Sequence, residues 1–559
     1  MVVFTQTVSA NHFTGLERQG QLAGTQVDLR IQRAASGASS LPMPRDASSA
    51  SSGSSSSSAR VHMTCEVALR TFDASFEILS IANKIKVKIL VQAHSEVSSL
   101  NFTDCRLNDE TVADLVHFTN LTELVLSSNW ELSSVGIAKV VAKHKYITKL
   151  DVSECFQIDD RALLAIFQNL HHLQELDLSG TGVEFTDQKL CDYLNQNPHV
   201  LARLSVLKMG HCSFLIDASL RILALCPSLT NLDLSACTGL TFDLSWLQHC
   251  TNLKSVNLQA INLAYPKNTE DDPLSLSLPH LEHLDLKGAC GVTDTVLHFV
   301  KQAKQLKVLN LANTGTTDSG LQGIEQLQNL ETLILDNCIG VQGSGFKYIG
   351  ALSKLSRLSF SSNPNFFESF TVTEYQERVR HLNEGIQLLT KQETLPPIEF
   401  LELSNCDWLD NRGVASFAKL RTIKVLRLIE CGLISNAGVQ KLFPQDGEIP
   451  LGQAEEVSLM DSTSYGLTNN LMHSLVRLPK LRKLTLSNTG NLTKSGPEWL
   501  KKAHKEMHST SNLSITFFEP SFASPLSNFR TSYFGVLFFK DEFCELPLGK
   551  EKRFAAKKT

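Results

Sequence analysis

The chain has 559 residues, 42% hydrophobic and 19% charged, with a net charge of −5 and a pI near 6.4. That balance suits a chain with a large core and argues against a dedicated nucleic-acid binder, which carries a basic footprint. No apolar run reaches the ~18 residues of a membrane span, and "MVVFTQTVSANHF" lacks the basic n-region of a secretory signal.

In chain order, residues 36–58 hold twelve serines in 23 positions. Such a stretch cannot bury enough apolar surface to order itself, so 1–60 is expected to be a disordered arm. It reads as a plain flexible tail, a phosphorylated tail or an export signal. Residues 61–96 form an N-terminal cap. There Lys84, Lys86 and Lys88 alternate with Ile85, Val87 and Ile89, the pattern of a half-buried strand, and Phe76–Ser80 supplies a hairpin partner.

From Val97 the frame L-x-x-L-x-L-x-x-C recurs. Its first positions are Val97, Leu121, Ile147, Leu173, Leu204, Leu229, Leu253, Leu281, Leu306, Leu330, Leu355, Ile398, Ile423, Ala454 and Leu481, fifteen units. Positions four and six alternate with polar neighbours and mark a short strand buried on one face. A helix follows. After Cys155, Asp159 or Asp160 can cap a helix in which Leu163, Ile166, Phe167 and Leu170 share one side. Equivalent starts stand at Thr293, Ile216 and Leu409. One such unit cannot cover its own apolar face, but a stack can.

The ninth position is cysteine in seven units: Cys105, Cys155, Cys212, Cys237, Cys338, Cys406 and Cys431. Elsewhere it is Asn129, Asn363, Thr181, Thr314, Thr489 or Ser462, with Ile261 and Ala289 as the apolar exceptions. The chain turns inward there, and its backbone groups need partners inside the stack. Cysteine is small, tolerates burial and serves as a weak donor. No two of the 13 cysteines are closer than Cys226 and Cys237, 11 residues apart, so no C-x-x-C pair exists. Reduced thiols in a cytosol-like compartment fit this ladder.

Units of this length, with this cysteine and a "(T/I)-D-x-x-(L/A)" helix start, resemble the cysteine-containing subfamily of leucine-rich repeats. The resemblance covers residues 97–506. It implies an α/β right-handed solenoid, a horseshoe with a parallel sheet on the concave face and helices on the convex face. The subfamily is common in F-box substrate receptors of ubiquitin ligases, and occurs in stand-alone interaction proteins and in proteins of intracellular bacteria. Residues 61–96 stand where an F-box would, but no such helical module opening on Leu-Pro is recognised there.

Three stretches interrupt the repeat. Tyr265 opens an acidic, Pro-bracketed loop and Phe443 another. The largest, 364–397, carries Tyr375, Val379, Leu382, Ile386 and Leu389 at helical spacing. That helix either packs on the convex side or binds a partner. Residues 507–559 read as an aromatic C-terminal cap and a basic tail.

No phosphate loop, H-E-x-x-H or G-x-S-x-G motif is present. His211 and His283 stand alone on the strand face. No enzyme, cofactor or metal is expected. The expected function is a scaffold for a protein partner, a ligase substrate-recognition subunit or, alternatively, an effector secreted into a host cell. Strand positions three, five and seven face the concave surface. In the first half position five is acidic, with Asp151, Asp177, Asp233 and Asp285; this is either common repeat filler or a docking patch. The C-terminal half shows Ile334, Phe400, Val425, Arg427, Ile429 and Met460, apolar, aromatic and Arg side chains typical of binding surfaces. Folding of the Tyr375 helix or the Phe443 loop over them is the alternative.

Overall fold

Two residues after each of the fifteen first positions a strand begins. The computed structural model describes residues 26–34, 62–70, 98–242, 244–263, 278–361, 372–406, 408–460, 467–487, 491–508 and 512–518. They fall into two units, Met1–Ile334 and Leu335–Thr559. In the first unit the repeat strands are β3 (Ser99–Asn101), β4 (Glu123–Val125), β5 (Lys149–Asp151), β6 (Glu175–Asp177), β7 (Val206–Lys208), β8 (Asn231–Asp233), β9 (Ser255–Asn257), β10 (His283–Asp285), β11 (Val308–Asn310) and β12 (Thr332–Ile334). Each pairs in parallel with the next, with frame positions matched. Before them, β1 (Gln26–Ala34) and β2 (His62–Arg70) pair antiparallel, and β2 runs parallel to β3. Sequence periodicity points to neither strand, and β1 falls within the stretch read as a disordered arm. The serine run, the Lys84 strand with its Phe76 partner and the Tyr265 loop lie outside the described residues.

The second unit holds β13 (Arg357–Ser361), β14 (Phe400–Ser404), β15 (Val425–Ile429), β16 (Glu456–Met460), β17 (Lys483–Ser487) and β18 (Ser514–Phe518), again all parallel. The last is a rung beyond the repeat limit at 506, placed in the stretch read as an aromatic cap. It escapes the leucine frame because Ile515 and Phe517 stand where leucines would. In both units a strand alternates with a helical segment, which makes each an α/β leucine-rich-repeat solenoid.

The leucines of the frame are buried throughout. The turn after them is uniform. Position eight is left-handed in all twelve units where it is described, with φ between 52° and 70°. Only Gly180 and Gly288 are glycines there; for the others this conformation costs roughly 1–2 kcal/mol. The cost is offset because the position-eight N–H donates across to the next rung. Asp104 donates to Ser127 O at 2.9 Å, Ser128 to Ser153 O at 2.8 Å and Glu154 to Ser179 O at 2.7 Å.

That turn carries position nine inward, and all seven ladder cysteines are buried. Five of their thiols donate to the position-six carbonyl of the preceding unit: Cys155 to Leu126 O at 3.2 Å, Cys212 to Leu178 O at 3.1 Å, Cys237 to Met209 O at 3.0 Å, and more loosely Cys431 to Leu403 O at 3.7 Å and Cys406 to Phe360 O at 3.8 Å; Cys105, in the first unit, donates to Thr103 O at 3.5 Å. Asn129 does more. Its Nδ2 donates to Phe102 O at 2.9 Å and to its own Leu126 O at 2.7 Å, and its Oδ1 accepts from Leu107 N at 2.7 Å. Thr181 and Thr314 donate within their own units, to Leu178 O at 2.6 Å and Leu311 O at 2.7 Å.

A second ladder runs through the helix starts. Asp159 caps its own helix, accepting from Arg161 N at 3.0 Å, while Asp160 reaches forward to the next unit and accepts from the backbone N–H groups of Glu184, Phe185, Thr186 and Asp187. The division recurs. Asp410 caps and Asn411 accepts from Ser435 N; Ser435 caps and Asn436 accepts from Thr468 N. The helices themselves vary with unit length. The 26-residue units from Leu121 and Ile147 carry α-helices Ser134–Val141 and Asp160–Asn169. Shorter units from Val97, Leu204 and Leu229 carry 3-10 segments instead, Val112–His117, Asp217–Leu225 and Leu244–His249. Length alone does not decide this, since the 25-residue units from Leu281 and Ile398 carry α-helices Asp294–Val300 and Asn411–Ser416.

The Val372–Leu389 helix belongs to the helical layer. It buries Leu382, Ile386 and Leu389. Asn383 donates to Trp408 O at 2.6 Å and accepts from Asp410 N at 3.1 Å, and Gln392 donates to Lys347 O at 3.1 Å. The Phe443 stretch is held likewise: Phe443 and Leu451 are buried, and Arg477 donates to Pro444 O at 2.6 Å and Gly447 O at 2.8 Å.

Two outcomes follow for stability. Gly413 sits where a Cβ would collide with the Asn383 side chain. Gly413→Ala is expected to cost about 1–3 kcal/mol by overpacking, read as a lowered denaturation midpoint; an unchanged midpoint would mean the Val372–Leu389 helix is not docked here. Burial pushes the Cys155 and Cys237 thiols up to about 12 from an ordinary 9.0. The folded chain therefore holds these protons more tightly than the unfolded chain. The resulting stability is complete below about pH 9 and declines as pH rises toward 12. In native-state thiol labelling the exposed Cys290 should react first among the cysteines of the described repeats, and rapid labelling of Cys155, Cys237 and Cys406 would sink the ladder. Cys237→Leu should cost roughly 1–3 kcal/mol.

Candidate functional site

Of the six side chains singled out on the strand face, five come together in the second unit. Ile334 closes the last strand of the first unit, half-buried on that unit's own face. Phe400 and Val425 are matched partners at position three of β14 and β15, and Ile429 and Met460 at position seven of β15 and β16. All four are half-buried. Four residues of strand, about 13 Å, separate the two rows. The apolar surface is thus two strips, not one contiguous patch.

Between the strips lie Glu402 and Arg427 at position five, while Glu456 and Lys483 continue the Phe400–Val425 row at position three. Arg427 stands opposite Glu402 in register and bonds its carboxylate at 3.2 Å; on the other side it meets Glu456 at 2.9 Å, and Lys483 reaches Glu456 at 3.3 Å. Burial alone would pull the Arg427 pKa down; the Glu456 and Glu402 contacts outweigh it and hold the guanidinium above its ordinary range. The guanidinium also lies 5.1 Å from the centre of the Phe400 ring, and that of Arg357 lies 3.7 Å from it. Phe400 therefore belongs to a cation–π cluster. Sequence inspection picks out Arg427 but not its engagement. The signal was present: Glu402 and Arg427 both hold position five of successive units.

The acidic row of the first unit has a local cause. Asp151, Asp177, Asp233 and Asp285 each accept the backbone N–H of position seven, from Ser153, Ser179, Ser235 and Lys287, at 2.9–3.1 Å. These are Asx turns that prepare the left-handed position eight. Asp177 also pairs with Lys208 at 3.1 Å, and Asn257 and Asn310 donate to Asp233 and Asp285 at 3.0 Å. Filler and structural role are here the same thing.

A set of exposed large apolar side chains lies off the strand face and is not picked out by its period. Trp130, Phe156 and Ile339 at position ten, and Phe214 and Leu433 at position eleven, are all exposed on the turn just after the ladder residue. Their signal was an apolar residue one or two places after the cysteine.

The class that this fold defines is the leucine-rich-repeat protein. Solved structures similar to the chain include a leucine-rich-repeat protein of Leptospira interrogans, 14% identical over 77% of this chain and 98% of that one, with a TM-score of 0.45. Others are yeast Rad7 in its complex with Elc1, 15% identical over 78% of this chain and 88% of that one (TM-score 0.39), and an internalin of Listeria monocytogenes, 15% identical over 82% of this chain and all of that one (TM-score 0.33). No family model matches the chain. Among the described residues no helix is long and apolar enough to cross a membrane.

The Glu402–Arg427–Glu456 network changes what a charge reversal does. Arg427→Glu would crowd three carboxylates together. It is expected to lower stability by about 1–3 kcal/mol, against less than about 1 kcal/mol for exposed Arg421→Ala at the surface pair with Glu448. Thermal denaturation of the two variants checks this, and equal midpoints would argue that the network contributes nothing.

Proposed function

We propose that this chain is a non-catalytic scaffold that receives a protein partner on the strand face of its second unit, in a cytosol-like compartment. The observation that carries the reading is the pair of half-exposed apolar strips, Phe400 with Val425 and Ile429 with Met460, flanking charges that are already paired. Burying those strips gains roughly 25 cal/mol per Å². The pre-paired charges ask less of a partner than lone charges would. A partner with two apolar anchors about 13 Å apart along its own chain would fit both strips. On its own unit's strand face, Ile334 is a further apolar contact of the same kind. A structural role for the ladder is supported by Cys155, Cys212 and Cys237, whose thiols burial holds in the protonated form.

Within that reading the chain is a substrate-recognition subunit of a ubiquitin ligase or an effector acting in a host cell, of the cysteine-containing repeat type in either case. The strand His62–Arg70, standing where a helical adaptor-binding module would open, favours the effector. Recovery of a Skp1-type adaptor with the full chain would select the ligase subunit; export that depends on residues 1–30 would select the effector.

The docking face is tested apart from that choice. Phe400→Ala together with Met460→Ala should weaken the captured partner more than about tenfold, ~1.4 kcal/mol, with cooperative unfolding retained, and Met460→Ala alone, outside the cation–π cluster, should weaken it in the same direction. Normal binding by this variant, measured by calorimetry, would place the partner elsewhere.

A further inference from the structure

Outside the proposed docking face, the first unit exposes two large aromatic side chains on consecutive rungs. Trp130 is 51% and Phe156 60% exposed, and both hold position ten, the first place after the ladder residue. Their rungs are tied together: β4 pairs with β5 in register, Gln157 donates to Trp130 O at 2.9 Å, and Ser133 bridges to Gln157. The rings therefore occupy equivalent sites one repeat apart on the edge where strands turn into helices. Position ten of the following unit is Gly182, whose missing side chain leaves the strip open on that side.

The surroundings are anionic. Asp104 and Glu154 hold position eight on the rungs either side of Ser128, and Glu131 follows Trp130 directly. None of the three has an ion-pair partner among the described residues, and Asp104 and Glu154 are exposed. Residues 98–200 carry 15 acidic against 7 basic side chains, a net charge of −8 where the whole chain has −5. Of those seven bases, Arg106 holds position ten on the rung before Trp130, Lys139, Lys143 and Lys145 stand in or just after the Ser134–Val141 helix, Lys189 lies in the helix Gln188–Gln196, and Lys149 and Arg161 are paired with Glu175 and Asp159. Against the one base on this strip, Arg106, stand three carboxylates, Asp104, Glu131 and Glu154, beside two exposed rings.

We propose that this edge docks a basic segment of a partner protein, its Lys or Arg side chains laid over Trp130 and Phe156 and paired with Asp104, Glu131 and Glu154. Cations over aromatic faces and beside carboxylates gain from both at once. The same field repels nucleic acid and anionic lipid, which selects a cationic polypeptide as occupant. The Asx-turn aspartates Asp151 and Asp177 belong to the neighbouring strand face and serve the fold, which makes them a control.

The experiment uses the full chain and fluorescein-labelled nona-arginine, followed by anisotropy at low and physiological salt. Binding should be measurable and should weaken as salt rises. Trp130→Ala with Phe156→Ala keeps the net charge, and should weaken binding about tenfold without changing the melting temperature, since both rings are more than half exposed. Asp104→Asn with Glu154→Gln should weaken binding and flatten its salt dependence, while a single Asp151→Asn should leave it near the original value. Wild-type affinity in the aromatic double variant would reduce the effect to general acidity and overturn the proposal. So would the absence of binding by the unaltered chain at low salt.

Discussion

The position-six carbonyl is the group on which the rest of the structure depends. It ends a strand whose neighbours are leucines, it points into the stack, and water cannot reach it. A buried carbonyl without a donor costs on the order of 1–3 kcal/mol, and the chain presents one such carbonyl per repeat. The cysteine units share one answer. The chain turns through a left-handed residue at position eight, the position-nine N–H serves its own unit's carbonyl, as Cys155 N does for Val152 O, and the position-nine side chain serves the unit before. Cysteine suffices because its sulfur is small enough to lie among leucines. Asn129 donates to the unit before and to its own, Thr181 donates within its own, and Ile261 and Ala289 bring no donor, so the ladder tolerates different chemistries.

That constraint explains how the sequence could be read and where reading stopped. Strand positions were legible because four and six must be apolar in every unit, and all fifteen expected strands are present. Position nine was legible because few side chains are both small and donating. Position eight was not: Asp104, His211, Ala236 and Glu430 share no property in sequence, since the backbone and its cross-rung bond impose the conformation. Helix starts were half legible. Asp159 and Asp160 announce a cap, but which carboxylate serves its own helix and which the next unit is decided by a backbone some 24 residues later, beyond local pattern. β18 stayed hidden because Ile515 and Phe517 replace the leucines that define the frame.

The candidate site shows the same limit. Phe400, Val425, Arg427, Ile429 and Met460 could be assigned to one face from period two alone. Their grouping could not, because it depends on which rows adjoin. Position five joins Glu402 to Arg427 and divides the apolar residues into strips on either side. An arginine that looks like a ready anchor in sequence is already held by two carboxylates and an aromatic ring. In the first unit the aspartates of the "LDLS" type, read as surface charge, are turned back onto their own backbone. Much of the charge on these faces is thus answered within the chain.

Position ten is the first place in the repeat that the fold leaves unassigned. Position eight is fixed by the turn, nine by the carbonyl, and twelve by burial, as at Leu132, Ile158 and Leu215. Ten carries neither a cap nor a ladder bond from its side chain. It is arginine at 106, glycine at 182 and serine at 213 with no loss to the stack. Tryptophan and phenylalanine at 130 and 156 gain little by lying half in water, so folding gives no reason for them. Side chains that the fold does not require, placed side by side by a repeat that the fold does require, are where a solenoid can acquire a binding surface without touching its own stability.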